Sequence, residues 1–211
     1  MSQPGQPPAQ VPEYQYQALP DNESIRILTL YPGARDDPLK GKLELSNIAS
    51  PGVYESLSYV WGNPERCHEI VCVDQSIKLT TSLHDALKRL RRPDRQRRLW
   101  ADQICINQDD RAERSQQVQF MNRIYKNASN VLVWLGPDDR AMAKPAFEQV
   151  RELDEIFQNE EMCEKFRIAH TDHLEERSKD SWIPLMQVTN LPWVSRAKAI
   201  SSPRNTNIGL C

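Results

Sequence analysis

The sequence predicts an α/β protein whose mixed or mostly parallel sheet is flanked by helices and begins with an N-terminal β-hairpin region. Short runs of β-branched and large apolar residues recur from residue 25 to residue 79. Apolar residues at helical spacing follow at 81–90 and 110–128, and residues 99–135 read as strand, helix, strand. Strands alternating with helical patterns are typical of the α/β class.

Composition sets the first limits on function. The 211 residues carry 27 Lys and Arg against 29 Asp and Glu, a net charge of −2, which offers no bulk electrostatic case for nucleic acid or membrane partners. Residues 1–20 lack the basic start and apolar run of a signal peptide, so we expect a cytoplasmic location, with the nucleus as the alternative. No apolar stretch approaches the roughly 18 residues that a membrane-spanning helix needs.

Domain limits follow from changes in composition. Residues 1–20 are rich in Pro and Gln and are expected to form a flexible lead-in, because they hold too little apolar surface to order themselves. Residues 21–195 are predicted to form one domain, with its core blocks at 54–136. Residues 196–211 have no periodicity and are expected to be disordered or a truncated end.

The first strands are predicted at 25–30 and 43–45, with a turn at 31–33 that makes them the N-terminal hairpin region. A third strand is predicted at 56–61, where large and small side chains alternate, and Gly62-Asn63-Pro64 ends it.

A second hairpin and a capped helix follow. Residues 69–73 and 77–79 are β-rich runs separated by Asp74-Gln75-Ser76, which favours a hairpin. Thr81 or Ser82 is expected to cap the helix that follows.

Residues 88–98 hold seven basic residues against the single acid Asp94. Such a patch binds phosphates in some proteins. A solvated helix end followed by a turn is the favoured interpretation, because no aromatic residues are interleaved and a charge run alone is weak evidence of nucleic-acid binding.

The segment 99–135 predicts a βαβ unit. Residues 99–101 form a buried strand with Asp102 at its carboxyl end, and residues 131–135 form another, closed by Gly136-Pro137. Between them, Asp110 as N-cap and Glu113 three residues later indicate a capping box. The two strands are therefore expected to be parallel with a right-handed crossover.

Apolar residues at helical spacing predict which face of that helix meets the core: Val118, Met121, Ile124 or Tyr125, and Ala128. Beyond residue 136, helices are predicted at 146–157 and 162–173, with a last one near 185–188.

The cysteines give no metal site. Cys67, His68 and Cys72 invite a zinc interpretation, but no second ligand pair follows at a usable spacing. Cys105 stands alone between two isoleucines, which is typical of a packed residue rather than a nucleophile.

A candidate ligand-binding rim is predicted where the parallel strands end, because ligands collect outside the carboxyl ends of strands in open α/β sheets. An aromatic ring there can stack on a base or nicotinamide, amides can bind a ribose, and a carboxylate can orient a hydroxyl. Two structural alternatives stay open: that Asp102 accepts N–H bonds in its own loop, and that the capping box explains Glu113. The candidate residues are Trp61, Gly62, Asp102, Asn107, Gln108 and Glu113.

Three blocks carry a resemblance to a known family: residues 54–62 (YESLSYVWG), 99–108 (LWADQICINQ) and 117–136. Together they resemble the signature of the fungal heterokaryon incompatibility (HET) domain. The resemblance implies an intracellular module for non-self recognition and programmed cell death, acting through a protein partner or self-association and needing no cofactor.

The resemblance also implies an alternative. HET domains have been viewed as distant relatives of Toll/interleukin-1 receptor (TIR) domains, some of which cleave the nicotinamide bond of NAD with a helical glutamate. That makes NAD a possible substrate. The family usually continues beyond Pro192-Trp193 into an Arg-x-Trp-x-x-Gln-Glu helix, whereas this chain runs into Ala197-Lys198-Ala199-Ile200. A truncated or misread end that lacks the catalytic acid is therefore expected.

Overall fold

The computed structural model describes residues 11–162 together with Gln187 and Asn190. The strands are β1 (Ser24–Leu30), β2 (Lys40–Asn47), β3 (Glu55–Tyr59), β4 (His68–Cys72), β5 (Gln75–Leu79), β6 (Arg97–Trp100) and β7 (Asn130–Trp134). The helices are α1 (Thr81–Leu90), α2 (Asp102–Cys105), α3 (Arg111–Asn127) and α4 (Ala143–Gln158).

Within the described residues the strands form one sheet of seven, in the order β5-β4-β2-β1-β6-β3-β7. The pairs β1–β2, β1–β6 and β4–β5 are antiparallel, and β2–β4, β3–β6 and β3–β7 are parallel. The sheet is thus mixed, as predicted, and the antiparallel β1–β2 pair confirms the N-terminal hairpin region.

Strand β1 lies in the middle of the sheet, and all seven of its residues are buried. A strand covered on both faces needs a nearly continuous apolar run, and Ile25, Ile27, Leu28 and Leu30 supply it. Arg26 breaks this run, yet its exposed fraction is 3%.

The predicted βαβ unit is present in a modified form. Strands β6 and β7 both run parallel to β3, which lies between them, so the segment carrying α3 crosses over a strand formed earlier in the chain. The parallel orientation is confirmed; the hand of the crossover stays a prediction.

The β4–β5 hairpin is confirmed, but its turn is shifted. Cys72 pairs with Gln75, so the turn residues are Val73 and Asp74 rather than 74–76. Val73 has a φ of 59°, which is unusual for a β-branched residue.

The N-cap of α1 is Thr80, one residue before the predicted Thr81 or Ser82. Its hydroxyl oxygen accepts from the Leu83 N–H at 3.4 Å. The helix starts this early because β5 ends at Leu79, which leaves no connecting residue except the cap.

The predicted core face of α3 is wrong at one position. Val118 is 55% exposed, whereas Glu113, Gln117 and Ile124 are buried. The polar residues occupy core positions because they have partners there; the Gln117 amide, for example, donates to the Ser24 carbonyl at 3.0 Å. Counting apolar residues at helical spacing does not identify a polar residue that is buried together with its hydrogen-bond partner.

Residues 11–16 lie against the open edge of the sheet. The Ser76 N–H donates to the Pro12 carbonyl at 2.8 Å, and the Tyr14 N–H donates to the Ser76 carbonyl at 2.9 Å. The predicted boundaries at residues 20 and 195 stay predictions, but this part of the lead-in has contacts that its composition did not indicate.

The chain divides into two compact units, residues 1–134 and 135–211, and all the strands of the described residues belong to the first. In the second, α4 confirms the helix predicted at 146–157, and the Asp138 carboxylate accepts from Met142 N and Ala143 N just before it begins. The predictions for 163–186 and 191–211 lie outside the described residues. No described helix is long and apolar enough to cross a membrane.

Candidate functional site

The parallel strands bring two of the predicted residues into contact. Trp61 follows β3 and Asp102 follows β6, and these strands are neighbours, so both residues lie at the carboxyl edge. The Trp61 indole Nε1 lies 3.2 Å from Asp102 Oδ1 and 3.0 Å from Oδ2. The shared rim expected from the sequence thus exists for these two residues.

Asp102 has further partners within its own loop. As the first residue of α2, it accepts the Gln103 N–H on Oδ1 at 2.8 Å. Its backbone carbonyl accepts from the Gln108 side-chain amide at 2.7 Å. The structural alternative considered for Asp102 is therefore realised in part, because its carboxylate accepts an N–H in its own loop while facing Trp61.

Tyr59 adds an ionisable group beneath the rim. It is the last residue of β3 and is 8% exposed. Burial raises its pKa well above the usual 10.0, and the nearby Asp102 carboxylate raises it further. Its hydroxyl is close enough to Asp102 to feel that charge.

The other rim candidates lie around this contact. The Asn107 side-chain oxygen accepts the Asp109 N–H at 3.2 Å, which tightens the loop between α2 and α3. Gly62 has a φ of 68° and no heavy atom within 4 Å of where a Cβ would stand. Backbone conformation therefore favours glycine at this position, whereas close packing does not.

Glu113 has a role that the sequence did not indicate. Asp110 is the N-cap of α3, as predicted, and accepts the N–H groups of Ala112 and Glu113. The Glu113 carboxylate, however, accepts the Asn107 N–H at 2.7 Å rather than closing a capping box at Asp110. The capping-box prediction is thus half right.

The main partner of Glu113 is Arg26, which lies 87 residues away in sequence. The two guanidinium nitrogens lie 2.5 and 3.1 Å from the two carboxylate oxygens, and the side chains are 3% and 6% exposed. A bidentate pair of this kind fixes distance and orientation together. It fastens the start of α3 to the central strand.

Arg26 also binds the segments around the pair. It donates to the Cys105 carbonyl at 3.3 Å and the Gln17 carbonyl at 2.5 Å, and its guanidinium lies 5.1 Å from the ring centre of Tyr16. The Tyr16 hydroxyl in turn donates to the Ile104 carbonyl at 2.8 Å. The one sequence signal for this network was Arg26 itself, a charged residue inside a strand whose other residues predict full burial.

Cys105 lies within this network, but its thiol stays protonated at neutral pH. It is buried, and burial raises the pKa of its thiol to about 12. A thiol with so high a pKa carries almost no thiolate at neutral pH, so the prediction of a packed rather than nucleophilic cysteine is confirmed.

The rim presents one carboxylate beside a partly exposed indole, with amide groups on the following loop. This set can accept hydrogen bonds from a ligand and stack on a ring. Among residues 11–162, no group of three or more His, Cys, Asp or Glu side chains is placed to hold a metal ion.

Comparison with known proteins gives two matches. The family model described as heterokaryon incompatibility protein (HET) matches residues 54–200, which are 147 of the 211 residues. The chain is 40% identical over 162 residues to heterokaryon incompatibility protein 6, OR allele, of Neurospora crassa. That alignment covers 68% of this chain but 24% of the relative. No solved structure matches the chain.

Proposed function

Because this chain belongs to the heterokaryon incompatibility (HET) family, we propose that it is an intracellular signalling module in which non-self recognition leads to programmed cell death in fungi. The family match over 54–200 is the observation that carries the proposal. The Neurospora crassa relative bears heterokaryon incompatibility in its name, and this chain spans about a quarter of it.

The contacts at the rim support a binding module rather than an enzyme. Asp102 bonds Trp61 and its own loop, and Glu113 is buried against Arg26. A general acid or nucleophile must reach a substrate, whereas these carboxylates hold the loop between α2 and α3 in place. We therefore propose that this loop and Trp61 form a fixed surface for a protein partner or a second copy.

Inducible expression in Neurospora crassa tests the biological role. Induction of the chain should stop growth and admit a vital dye into the cells, whereas the exposed-residue variant Arg66→Ala should behave like the parent. In a second arm, residues 54–200 replace the matching part of the Neurospora relative. Normal growth in both arms, with soluble protein present on immunoblots, would reject the proposal.

Light scattering coupled to size exclusion tests the proposed mode of action. The purified chain should self-associate or bind a partner from fungal extract, and Trp61→Ala should weaken that association without changing the circular dichroism spectrum. A strictly monomeric chain that retains no partner would reject the interaction surface while leaving the family assignment intact.

A second candidate, cleavage of the nicotinamide bond of NAD, rests on the contact between Trp61 and Asp102. A partly exposed ring beside a carboxylate offers a place for a nicotinamide ring and its ribose. Release of nicotinamide that Asp102→Ala abolishes and Arg66→Ala leaves unchanged would favour this function over the first.

A further inference from the structure

A concave site lies at the opposite edge of the sheet from the rim. Strands β3, β6 and β7 begin there, at Glu55, Arg97 and Asn130. A cavity of about 310 Å³ opens at this amino edge. The cavity is lined by four arginines together with Val53, Tyr54, Glu55, Gln96 and Ser129.

The basic side chains of residues 88–98 differ in the contacts that they make. Lys88 donates to the carbonyls of Arg35 and Asp37, and the buried Arg91 guanidinium donates to four carbonyls of the 34–38 loop. These two residues hold that loop against the end of α1. They belong to the scaffold and are not available for a ligand.

Arg97 and Arg98 are fixed in the wall of the cavity. Arg97 makes a bidentate pair with Glu55 at 2.5 and 2.9 Å and donates to the Leu90 carbonyl. Arg98 Nη1 donates to the carbonyls of Pro51 and Val53. Its guanidinium lies over Gly52, where a Cβ would stand 2.8 Å from Nη1.

Arg92 and Arg95 differ from these, because neither side chain forms a hydrogen bond or ion pair with any residue in the described part of the chain. Arg92 is partly exposed and Arg95 is exposed, and both line the same cavity. Four arginines and one glutamate line the wall, so the net charge of the lining is +3. Two of the arginines are held in position and two can move toward a ligand.

We infer that this amino-edge cavity binds the phosphate groups of a small ligand, such as a diphosphate. Arginine donates several N–H groups in a planar fork that matches phosphate oxygens, and an excess of three positive charges attracts a polyanion. The volume lies at the small end of ligand pockets. The aromatic residue in the lining is Tyr54, which is 1% exposed, so the wall offers phosphate donors rather than a stacking surface for bases.

Calorimetric titration of the full 211-residue chain with inorganic pyrophosphate tests the inference. We expect one saturable site at about 50 mM salt, and weaker binding at about 300 mM as the charges are screened. The variant Arg92→Ala with Arg95→Ala should bind at least about tenfold more weakly, because it removes two charged donors. The control, Arg66→Ala with Arg111→Ala, loses the same charge from two exposed residues outside the cavity lining and should bind within about twofold of the parent.

Adenosine and uridine diphosphates distinguish the source of the phosphate. Equal affinity for both nucleotides and pyrophosphate identifies a simple phosphate site, whereas tighter binding of one nucleotide identifies that nucleotide as the ligand. In a second readout, pyrophosphate should protect Arg92 and Arg95 from phenylglyoxal, read by peptide mass spectrometry, and leave Arg66 and Arg111 reactive.

Three results would overturn the inference: no pyrophosphate heat at low salt, equal loss in both double variants, or binding of a single-stranded oligonucleotide without any binding of pyrophosphate. The last result would identify a nucleic-acid surface instead. These outcomes are independent of the incompatibility role, which the expression experiments test.

Discussion

The two edges of the parallel strands β6, β3 and β7 use their charged residues in opposite ways. At the carboxyl edge, Asp102 contacts Trp61 and its own loop, and Glu113 is buried against Arg26. At the amino edge, the side chains of Arg92 and Arg95 make no hydrogen bond or ion pair with the described residues. The general rule places ligands at the carboxyl edge. Here the two arginines that have no hydrogen-bond or ion-pair partner among the described residues line a cavity at the other edge, so location in the fold and capacity to bind have to be assessed separately.

The largest effect is expected for Glu113→Ala, which tests the buried pair at the carboxyl edge. This substitution leaves the Arg26 charge buried without its carboxylate, and we expect the free energy of unfolding to fall by about 3 to 5 kcal/mol in urea denaturation. Arg123→Ala is the matched control, because the Arg123–Glu23 pair also joins α3 to the start of β1 but is exposed, at 46% and 45%. It should leave the unfolding free energy nearly unchanged. Similar losses in both variants would contradict the special role of the buried pair.

Trp61→Phe tests the rim contact with a smaller change. Phenylalanine keeps a ring but loses the N–H that lies 3.0 Å from Asp102 Oδ2. Because the contact is only partly buried, we expect a loss of about 1 kcal/mol in the same denaturation experiment. The double variant with Asp102→Asn should cost less than the sum of the two single variants. Strict additivity would mean that the two side chains are not coupled.

Alkaline pH provides a third test at the carboxyl edge. The folded-state pKa of Tyr59 is raised above 10.0, so its stabilising contribution is complete below that pH and is lost as the unfolded chain ionises above it. Between about pH 9 and about pH 10.5, the parent should lose about 1 kcal/mol more unfolding free energy than Tyr59→Phe. Parallel pH profiles for the two proteins would show that Tyr59 ionises equally easily in both states.

The smallest effect is expected at the amino edge. Arg92→Ala combined with Arg95→Ala should change the free energy of unfolding by no more than about 0.5 kcal/mol, because surface side chains without partners contribute little to folding. Thermal and urea unfolding of this variant beside the parent would measure it. A loss comparable to that of Glu113→Ala would mean that these arginines belong to the scaffold and would remove the contrast between the edges.

Local patterns predicted much of the fold. The alternation at 56–61, the hairpin at 69–79 and the N-cap at Asp110 each depend on a few neighbouring residues, and each is present in the structure. Parallel strand direction then placed Trp61 and Asp102 at one edge, and they are in contact. Short-range chemistry and strand direction are therefore recoverable from a single sequence.

Pairings distant in sequence were not recoverable. Arg26 and Glu113 are 87 residues apart, and the spacing from Asp110 to Glu113 offered a nearby explanation for the glutamate. The error at Val118 has the same origin, since Gln117 and Glu113 occupy the core positions of α3 through partners on β1. In the basic run, sequence alone could not separate Arg91, which is buried, from Arg95, which is exposed.

Residues 11–16 cover an edge of the sheet that would otherwise be open to pairing with another molecule. Strand β5 is the last strand on its side of the sheet, and the Ser76 N–H and C=O would point outward there without Pro12 and Tyr14. Unpaired edge groups recruit the edge of another molecule and start fibril-like or domain-swapped association. Production of the domain without these residues would therefore favour assembly through β5.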